Sequence, residues 1–296
     1  MISKSKLKYA YYPGCSAEST ARDQHSSAMA VAQALGVEMT EIKGWTCCGS
    51  TPGHQTDRIL AASLAAANLA KARDLGLDMI VNCAACYSRM KSANFEIAND
   101  IEIRRKVEDA IGKNYDGSVK VKHFIEVLLN DIGIDAIKNT VTNPIAGLKV
   151  APYYGCLLVR PPDVTKFDNP ENPVFMDRLV KAMGGESIDW PHKVECCGAG
   201  LTLTRVDVVL KLTESILRMA KESGADCIIV ACPMCQMNLD MRQLDIAKET
   251  GKKYNMPVLY ISQLLGLSFG INEKELGLNK LMISPSAVLN ITKGER

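Results

Sequence analysis

Read by its apolar and polar positions, the chain alternates short apolar runs with longer amphipathic stretches, and it does so twice. Lys8-Tyr9-Ala10-Tyr11-Tyr12 reads as an aromatic strand stopped by Pro13-Gly14, with Cys15 at its end. From Ser16 to about Leu35 the pattern is helical, with Ala28, Val31, Ala32 and Leu35 on one stripe and Gly36 as the stop. Val37 to Ile42 is a second strand and Thr56 to about Leu75 an alanine-rich helix, with a loop between them. Asp78 to Asn82 is a buried strand followed at once by Cys83, then a helix from Ala84 into the 94–98 region, a further helical stretch, and a strand near Val119–His123.

The second half repeats this grammar. Lys149 to Tyr153 is a strand ahead of Cys156, followed by a polar excursion with Pro161, Pro162, Pro170 and Pro173. A helix near Val174–Met183, a strand from Glu186 to Trp190, a helix from Val206 to about Ser223 and a buried strand from Asp226 to Ala231 come next. A helix opened by Pro233 and a late strand, Val258 to Ile261, close the repeat. Strands alternating with helices predict α/β units with parallel sheets. The boundary between the copies falls between Gly133 and Gly147, giving domains 1–140 and 141–296.

The cysteines make the duplication plain. Each half holds a lone cysteine, an adjacent pair followed by glycine, and a Cys-x-x-Cys: Cys15, Cys47, Cys48, Cys83 and Cys86, then Cys156, Cys196, Cys197, Cys232 and Cys235. Between the pair and the Cys-x-x-Cys lie 34 residues in both halves; between the lone cysteine and the pair lie 31 and 39. The offset between copies is therefore 149 residues from the pair onward and 141 before it, the difference of eight being the proline-rich excursion. Both lone cysteines, and the first cysteine of each Cys-x-x-Cys, stand at strand ends, the edge where open α/β sheets assemble ligand sites.

The remaining composition narrows the setting. The 296 residues are 47% hydrophobic and 23% charged, as in a soluble globular protein of two domains. A net charge of +2 without a basic block gives no case for nucleic acid, and no apolar run approaches the ~18–20 residues of a membrane span. The opening residues 1–6 carry lysines without an apolar segment behind them, so no signal peptide is expected and the chain is placed in the cytoplasm. In that reducing compartment a cysteine-dense protein binds metal or handles redox chemistry. Zinc sites take four ligands, often as two Cys-x-x-Cys knuckles, whereas each set here has one knuckle and five cysteines. The compact cysteine run of ferredoxin cubanes is absent. A larger five-thiolate cluster fits the count best.

The doubled Cys…Cys-Cys-Gly…Cys-x-x-Cys pattern resembles the family of cysteine-rich Cys-Cys-Gly domain proteins. Its flanks Tyr11-Tyr12-Pro13-Gly14-Cys15, Tyr153-Tyr154-Gly155-Cys156 and Val81-Asn82-Cys83 look closest to the catalytic subunit of the heterodisulfide reductases of methanogens. The resemblance spans about Lys8 to Leu265 and implies two tandem Rossmann-like domains, each holding a noncubane [4Fe-4S] cluster on its five cysteines. It implies reduction of the coenzyme M–coenzyme B heterodisulfide to two thiols. Because that takes two electrons and clusters pass one at a time, the disulfide is expected to bind between the halves and take one electron from each cluster. No flavin or nicotinamide fingerprint is present. The implied electron source is a separate iron–sulfur subunit, fed in turn by a flavin-bearing subunit that couples to hydrogenase or formate dehydrogenase in a bifurcating complex.

For the anionic ends of that substrate, Arg22, Arg160, Lys193 and Arg205 are the candidates, each near a motif cysteine in sequence. His54 is a candidate proton donor and His192 a weaker one; His25 and His123 carry no functional signal. Trp45 and Trp190 are expected to pack over the clusters, and Cys227 to be a core residue. Leu264-Leu265-Gly266-Leu267-Ser268-Phe269 and residues 276–291 read either as docking surfaces or as packing on their own domain. Two alternatives remain: an electron-relay subunit for lactate, glycolate or glycerol 3-phosphate oxidation or thiol:fumarate reduction, and a non-enzymatic protein that holds iron or zinc.

Overall fold

Two four-stranded parallel sheets organise the chain, as the repeated strand–helix pattern predicts. A computed structural model describes residues 7–294; the lysine-bearing stretch 1–6 lies outside the described residues. The first sheet has the order β2(Glu38–Glu41)-β1(Lys8–Tyr12)-β3(Met79–Val81)-β4(Val121–His123). The second has β6(Glu186–Ser187)-β5(Lys149–Tyr153)-β7(Cys227–Val230)-β8(Val258–Tyr260). The central strands β3 and β7 are buried along their whole length, because helices cover both faces of a parallel sheet. The strand order reverses direction between β1 and β3, and again between β5 and β7. Those two carboxyl ends are the switch points where such folds form sites.

In the first half the helices are α1(Arg22–Ala34), α2(Ser50–Thr56), α3(Arg58–Asp74), α4(Ala84–Asn99), α5(Ile101–Ile111), the single turn α6(Phe124–Glu126) and α7(Ile134–Thr140). In the second they are α8(Pro162–Thr165), α9(Phe175–Ala182), α10(Val206–Glu222), α11(Pro233–Thr250), α12(Ile261–Ser268) and α13(Ser286–Thr292). Local chemistry sets many of their ends. Asp57 caps α3 by accepting from the Leu60 amide at 2.7 Å, and Asp100 caps α5 through the amides of Glu102 and Ile103. Gly112 and Gly251 end α5 and α11 in the left-handed conformation.

Three expectations need correction. The first helix begins at Arg22, because Cys15–Glu18 is a 3-10 turn held by Ser19 Oγ donating to the Cys15 carbonyl at 2.9 Å. The stretch after the first Cys-Cys-Gly is helical, with Gly49 and Gly53 packed against Leu64 of α3. The strand expected over 186–190 is confined to Glu186–Ser187. Residues 264–269, for which the sequence leaves docking and packing both open, are buried, and the tail packs inward through Leu276, Leu278 and Val288.

The halves are laced together. Helix α12 of the second half lies on α1 of the first, joined by Ser27 Oγ and Ser262 Oγ at 2.7 Å and by Gln263 donating to Asp23 at 3.1 Å. The proline-rich excursion, through α8, lies on α4: Tyr87 and Lys91 both donate to the Thr165 carbonyl, at 3.0 and 2.8 Å.

Candidate functional site

Each Cys-x-x-Cys opens a helix. Cys83 is the residue before α4 and Cys232 the residue before α11, so Cys86 and Cys235 fall in the first turns. There the unpaired amides and the helix dipole favour thiolate. The Cys-Cys-Gly loops fold back over these turns, bringing Cys48 Sγ to 3.3 Å from Cys86 Sγ and Cys197 Sγ to 3.6 Å from Cys235 Sγ. Cys156 and Cys196 stand 4.0 Å apart at the rim of the second nest, and the Gly198 amide donates to Cys196 Sγ at 3.3 Å. Gly14 and Gly155, both at positive φ, carry the lone cysteines past these sulfurs; a Cβ on either would lie 3.3 Å from Cys86 Sγ or 3.2 Å from Cys235 Sγ. Each nest thus has a buried floor, Cys48, Cys83 and Cys86 or Cys197, Cys232 and Cys235, and a more open rim, Cys15 and Cys47 or Cys156 and Cys196.

The electrostatics follow from the crowding. Hydrogen bonds from Cys47 and Cys86 push Cys48 down to about 3, and the donors are pushed up in exchange. Cys196 is lowered to about 6 by the hydrogen bond from Cys156. Cys232 is pushed well down by Cys235 and by Cys83, which rises. Each thiolate holds its neighbours protonated, so five thiolates coexist in one nest only around a positive core. Among the described residues no three Cys, His, Asp or Glu side chains converge as a single ion requires. The sulfurs stand instead as close pairs, Cys48 with Cys86, Cys197 with Cys235 and Cys156 with Cys196, which fits an iron–sulfur core whose thiolates bind different irons.

The two nests meet. Cys83 and Cys232 lie within hydrogen-bonding reach of each other across the interface between the halves. One amide spans the strand ends that carry them: Gln24 Nε2 donates to the Asn82 carbonyl at 2.9 Å and to the Ala231 carbonyl at 3.4 Å. His123, fully buried at the end of β4, sets Nε2 3.1 Å from the Asn82 carbonyl and also reaches the Ala231 carbonyl. Tyr260 ends β8 at the matching register position, its hydroxyl buried without a hydrogen-bond partner among the described residues. The loops after the two Cys-Cys-Gly motifs also touch, at Thr51 and Gly200.

The tyrosines before the lone cysteines hold the loops in place. Tyr12 donates to the Thr46 carbonyl at 2.9 Å and Tyr153 to the Glu195 carbonyl at 2.6 Å, each just ahead of a cysteine pair. Trp45 meets Tyr12 edge-on at 5.7 Å and Trp190 meets Tyr153 at 6.3 Å, so the tryptophans back the tyrosines. The cationic candidates are engaged within the protein. Arg22 donates to the Glu18 carbonyl, Arg160 pairs with Glu171 and donates to the Val194 carbonyl, and Arg205 pairs with Asp207 at the surface. Lys193 is buried, pairs with Asp177 and Asp189, and donates to Asn172. His192 meets Ser215, and Cys227 is a core residue whose thiol burial pushes up. His54 is exposed and lines a cavity with Arg58 and Arg89.

Gln24, His123, Tyr260 and Arg89 escape a reading of the sequence alone. The first three lie far along the chain from the cysteines they approach. Arg89 is three residues from Cys86, and the signal that exposes it is the repeat: the 149-residue offset sets Asn238 in its place.

Among the described residues no helix is long and apolar enough to cross a membrane. The family described as "Cysteine-rich domain" (CCG) matches residues 9–91 and 150–240, more than half of the chain. The "8-methylmenaquinol:fumarate reductase membrane anchor subunit" of Wolinella succinogenes is 33% identical over 279 residues, covering 93% of this chain and 97% of that protein. The B subunit of the "Ferredoxin/F(420)H(2)-dependent CoB-CoM heterodisulfide reductase" of Methanosarcina acetivorans is 36% identical over 255 residues, 84% of each chain. A crystal structure of a hypothetical protein from Helicobacter pylori superposes with a TM-score of 0.77 at 14% identity, covering 95% of this chain and 53% of that one. That likeness concerns the fold alone.

Proposed function

We propose that this chain, which belongs to the cysteine-rich Cys-Cys-Gly domain family, is the disulfide-splitting subunit of a heterodisulfide reductase. It is an iron–sulfur electron-transfer subunit of an oxidoreductase. The finer reading adds a substrate, the mixed disulfide of coenzyme M and coenzyme B, and two noncubane [4Fe-4S] clusters, one on Cys15, Cys47, Cys48, Cys83 and Cys86 and the other on Cys156, Cys196, Cys197, Cys232 and Cys235. The observation that carries it is that two five-cysteine nests face each other inside one chain, the strand ends ahead of Cys83 and Cys232 being bridged by the Gln24 amide. When bound, the clusters supply the two single electrons that convert one disulfide and two protons into two thiols.

The protein's own residues define the setting for that step. The first turns of α4 and α11 offset negative charge on the sulfurs. Gln24 and His123 hold the Asn82 and Ala231 carbonyls, and with them the spacing of the nests. The buried floors keep water away, while Cys15, Cys47 and Cys196 leave each nest open at its rim. His54, exposed on α2 just after the first Cys-Cys-Gly, is the proposed proton carrier for the product thiols. Electrons are proposed to enter from a separate iron–sulfur subunit, itself fed by a flavin-bearing subunit that couples to hydrogenase or formate dehydrogenase in a cytoplasmic complex.

Anaerobically purified holoprotein, given a reduced viologen and the coenzyme M–coenzyme B disulfide, is expected to release two thiols per two electrons. It should also develop a paramagnetic signal that depends on added thiol. Iron-free protein that reduced the disulfide as well with a dithiol donor would overturn this reading. The relative from a fumarate reductase favours one second reading, electron relay to another subunit. Fully loaded protein that releases no thiols yet passes electrons to a flavin partner would establish that reading instead.

A further inference from the structure

Arg89 lies on the outer side of the first nest, one helical turn beyond Cys86 on α4, and is half-buried. Its guanidinium donates no hydrogen bond and joins no ion pair among the described residues, although burial strips part of its water. Cys48 and Glu96 lie near enough to act on its charge, but its five donors are left without acceptors among the described residues, a costly arrangement for a partly desolvated arginine. It faces a cavity of about 330 Å³ whose walls include His54, Ser92 and Phe95. Arg58 also borders the cavity, neutralised by Glu96 at 3.2 Å. Pro161 and Val164 of the second half close the cavity from the other side. The cavity therefore straddles the two halves, and the eight extra residues of the second copy help to form it.

The repeat supplies an internal comparison. At the 149-residue offset, His54, Arg58 and Arg89 correspond to Leu203, Asp207 and Asn238. Asn238 is fully buried and spent on its own domain, donating to the Cys197 carbonyl at 3.0 Å and meeting Thr202. Leu203 is 93% exposed. One copy thus uses this position to fasten its cysteine loop, while the other places on a cavity wall a cation that donates no hydrogen bond among the described residues.

We infer that the Arg89 cavity binds the anionic end of a small organic acid, a sulfonate, carboxylate or phosphate, beside the first cysteine nest. Arg89 meets two oxygens with its planar fork, His54 and Ser92 meet the remainder, and the apolar wall of Phe95, Pro161 and Val164 covers the short chain behind the anion. This rests on the disulfide-reductase reading for the identity of the molecule that bears the anion, but not for the anion site itself.

The test uses holoprotein and three probes without any thiol, ethanesulfonate, propionate and phosphate, with neutral propionamide as the control, followed by calorimetry. At least one anion is expected to bind and propionamide not to, and Arg89→Gln should weaken that binding at least about 10-fold, with Arg89→Lys in between. Val164→Trp fills the cavity without changing a charge and should also abolish binding, which keeps the test decisive if Arg89→Gln loses iron. Equal binding by wild type and both variants, or no anion binding by wild type, would overturn the proposal. A shifted cluster potential in Arg89→Gln with anion binding intact would also overturn it, making Arg89 a charge partner of the cluster. Anion binding that depends on Arg89 in a protein that fails to reduce the heterodisulfide would keep the site and discard the reductase reading.

Discussion

At the scale of single residues, Gly14 and Gly155 decide whether each nest can close. Both sit at positive φ, and a side chain on either would press on a sulfur of the Cys-x-x-Cys. Gly36 shares the positive φ, at +71°, but has nothing within 4 Å of the position a Cβ would take. Alanine at any of the three therefore costs ~1–2 kcal/mol of backbone strain, while only the first two displace a ligand. Gly14→Ala should lose the first cluster alone and Gly155→Ala the second, each protein retaining about half its iron and sulfide. Gly36→Ala should keep the full complement while melting a few degrees lower. Full iron in Gly14→Ala would show that the close approach to Cys86 does not matter. The cysteines are readable from spacing because a cluster needs a fixed set of thiolates. Arg89 is not, since an arginine on a helix face looks like any solvated charge until its neighbours are known.

At the scale of elements, β4 has one consequence that local sequence does not announce: it delivers His123 into the junction of the two halves. Ile125 donates to Nδ1 at 3.3 Å, so the proton sits on Nε2, which donates to the Asn82 carbonyl. Burial pushes the imidazole down to about 4. A folded value below the unfolded one means the unfolded chain binds the extra proton first. The stability His123 contributes is then whole above about pH 6.5 and lost as pH falls from there through about 4. Between about pH 7 and pH 5 that loss is ~2 kcal/mol. Urea midpoints measured at the two pH values should differ less in His123→Gln than in wild type, and equal differences would remove His123 from the account. Element types are largely legible from periodicity, because parallel strands are short apolar runs and helices carry a stripe. What escapes is set by contacts remote in sequence. Helix α2 forms over Ser-Thr-Pro-Gly because Leu64 packs beneath it, and 264–269 reads as a possible surface because nothing local shows that α1 of the other half covers α12.

At the scale of the molecule, the duplication has not left two independent domains. The linker joins the halves once, yet each supplies parts the other needs. Helix α12 covers α1, the excursion through Thr165 covers α4, and Phe167 of that excursion meets Tyr87 and His123 edge-on at 6.2 Å. Separated, residues 1–140 would expose the faces of α1 and α4, with Asp23, Gln24 and Ser27 stripped of their partners in the other half, Gln263, the Ala231 carbonyl and Ser262. Apolar surface uncovered on that scale drives reassociation or aggregation. Residues 1–140 and 141–296 expressed from separate genes in one cell should therefore co-purify through a tag on either piece and retain thiol-dependent paramagnetism, while either expressed alone should be insoluble or iron-poor. A soluble, monomeric 1–140 fragment carrying a full complement of iron would show that the nests are independent and that their contact at Cys83 and Cys232 is incidental to how each is built.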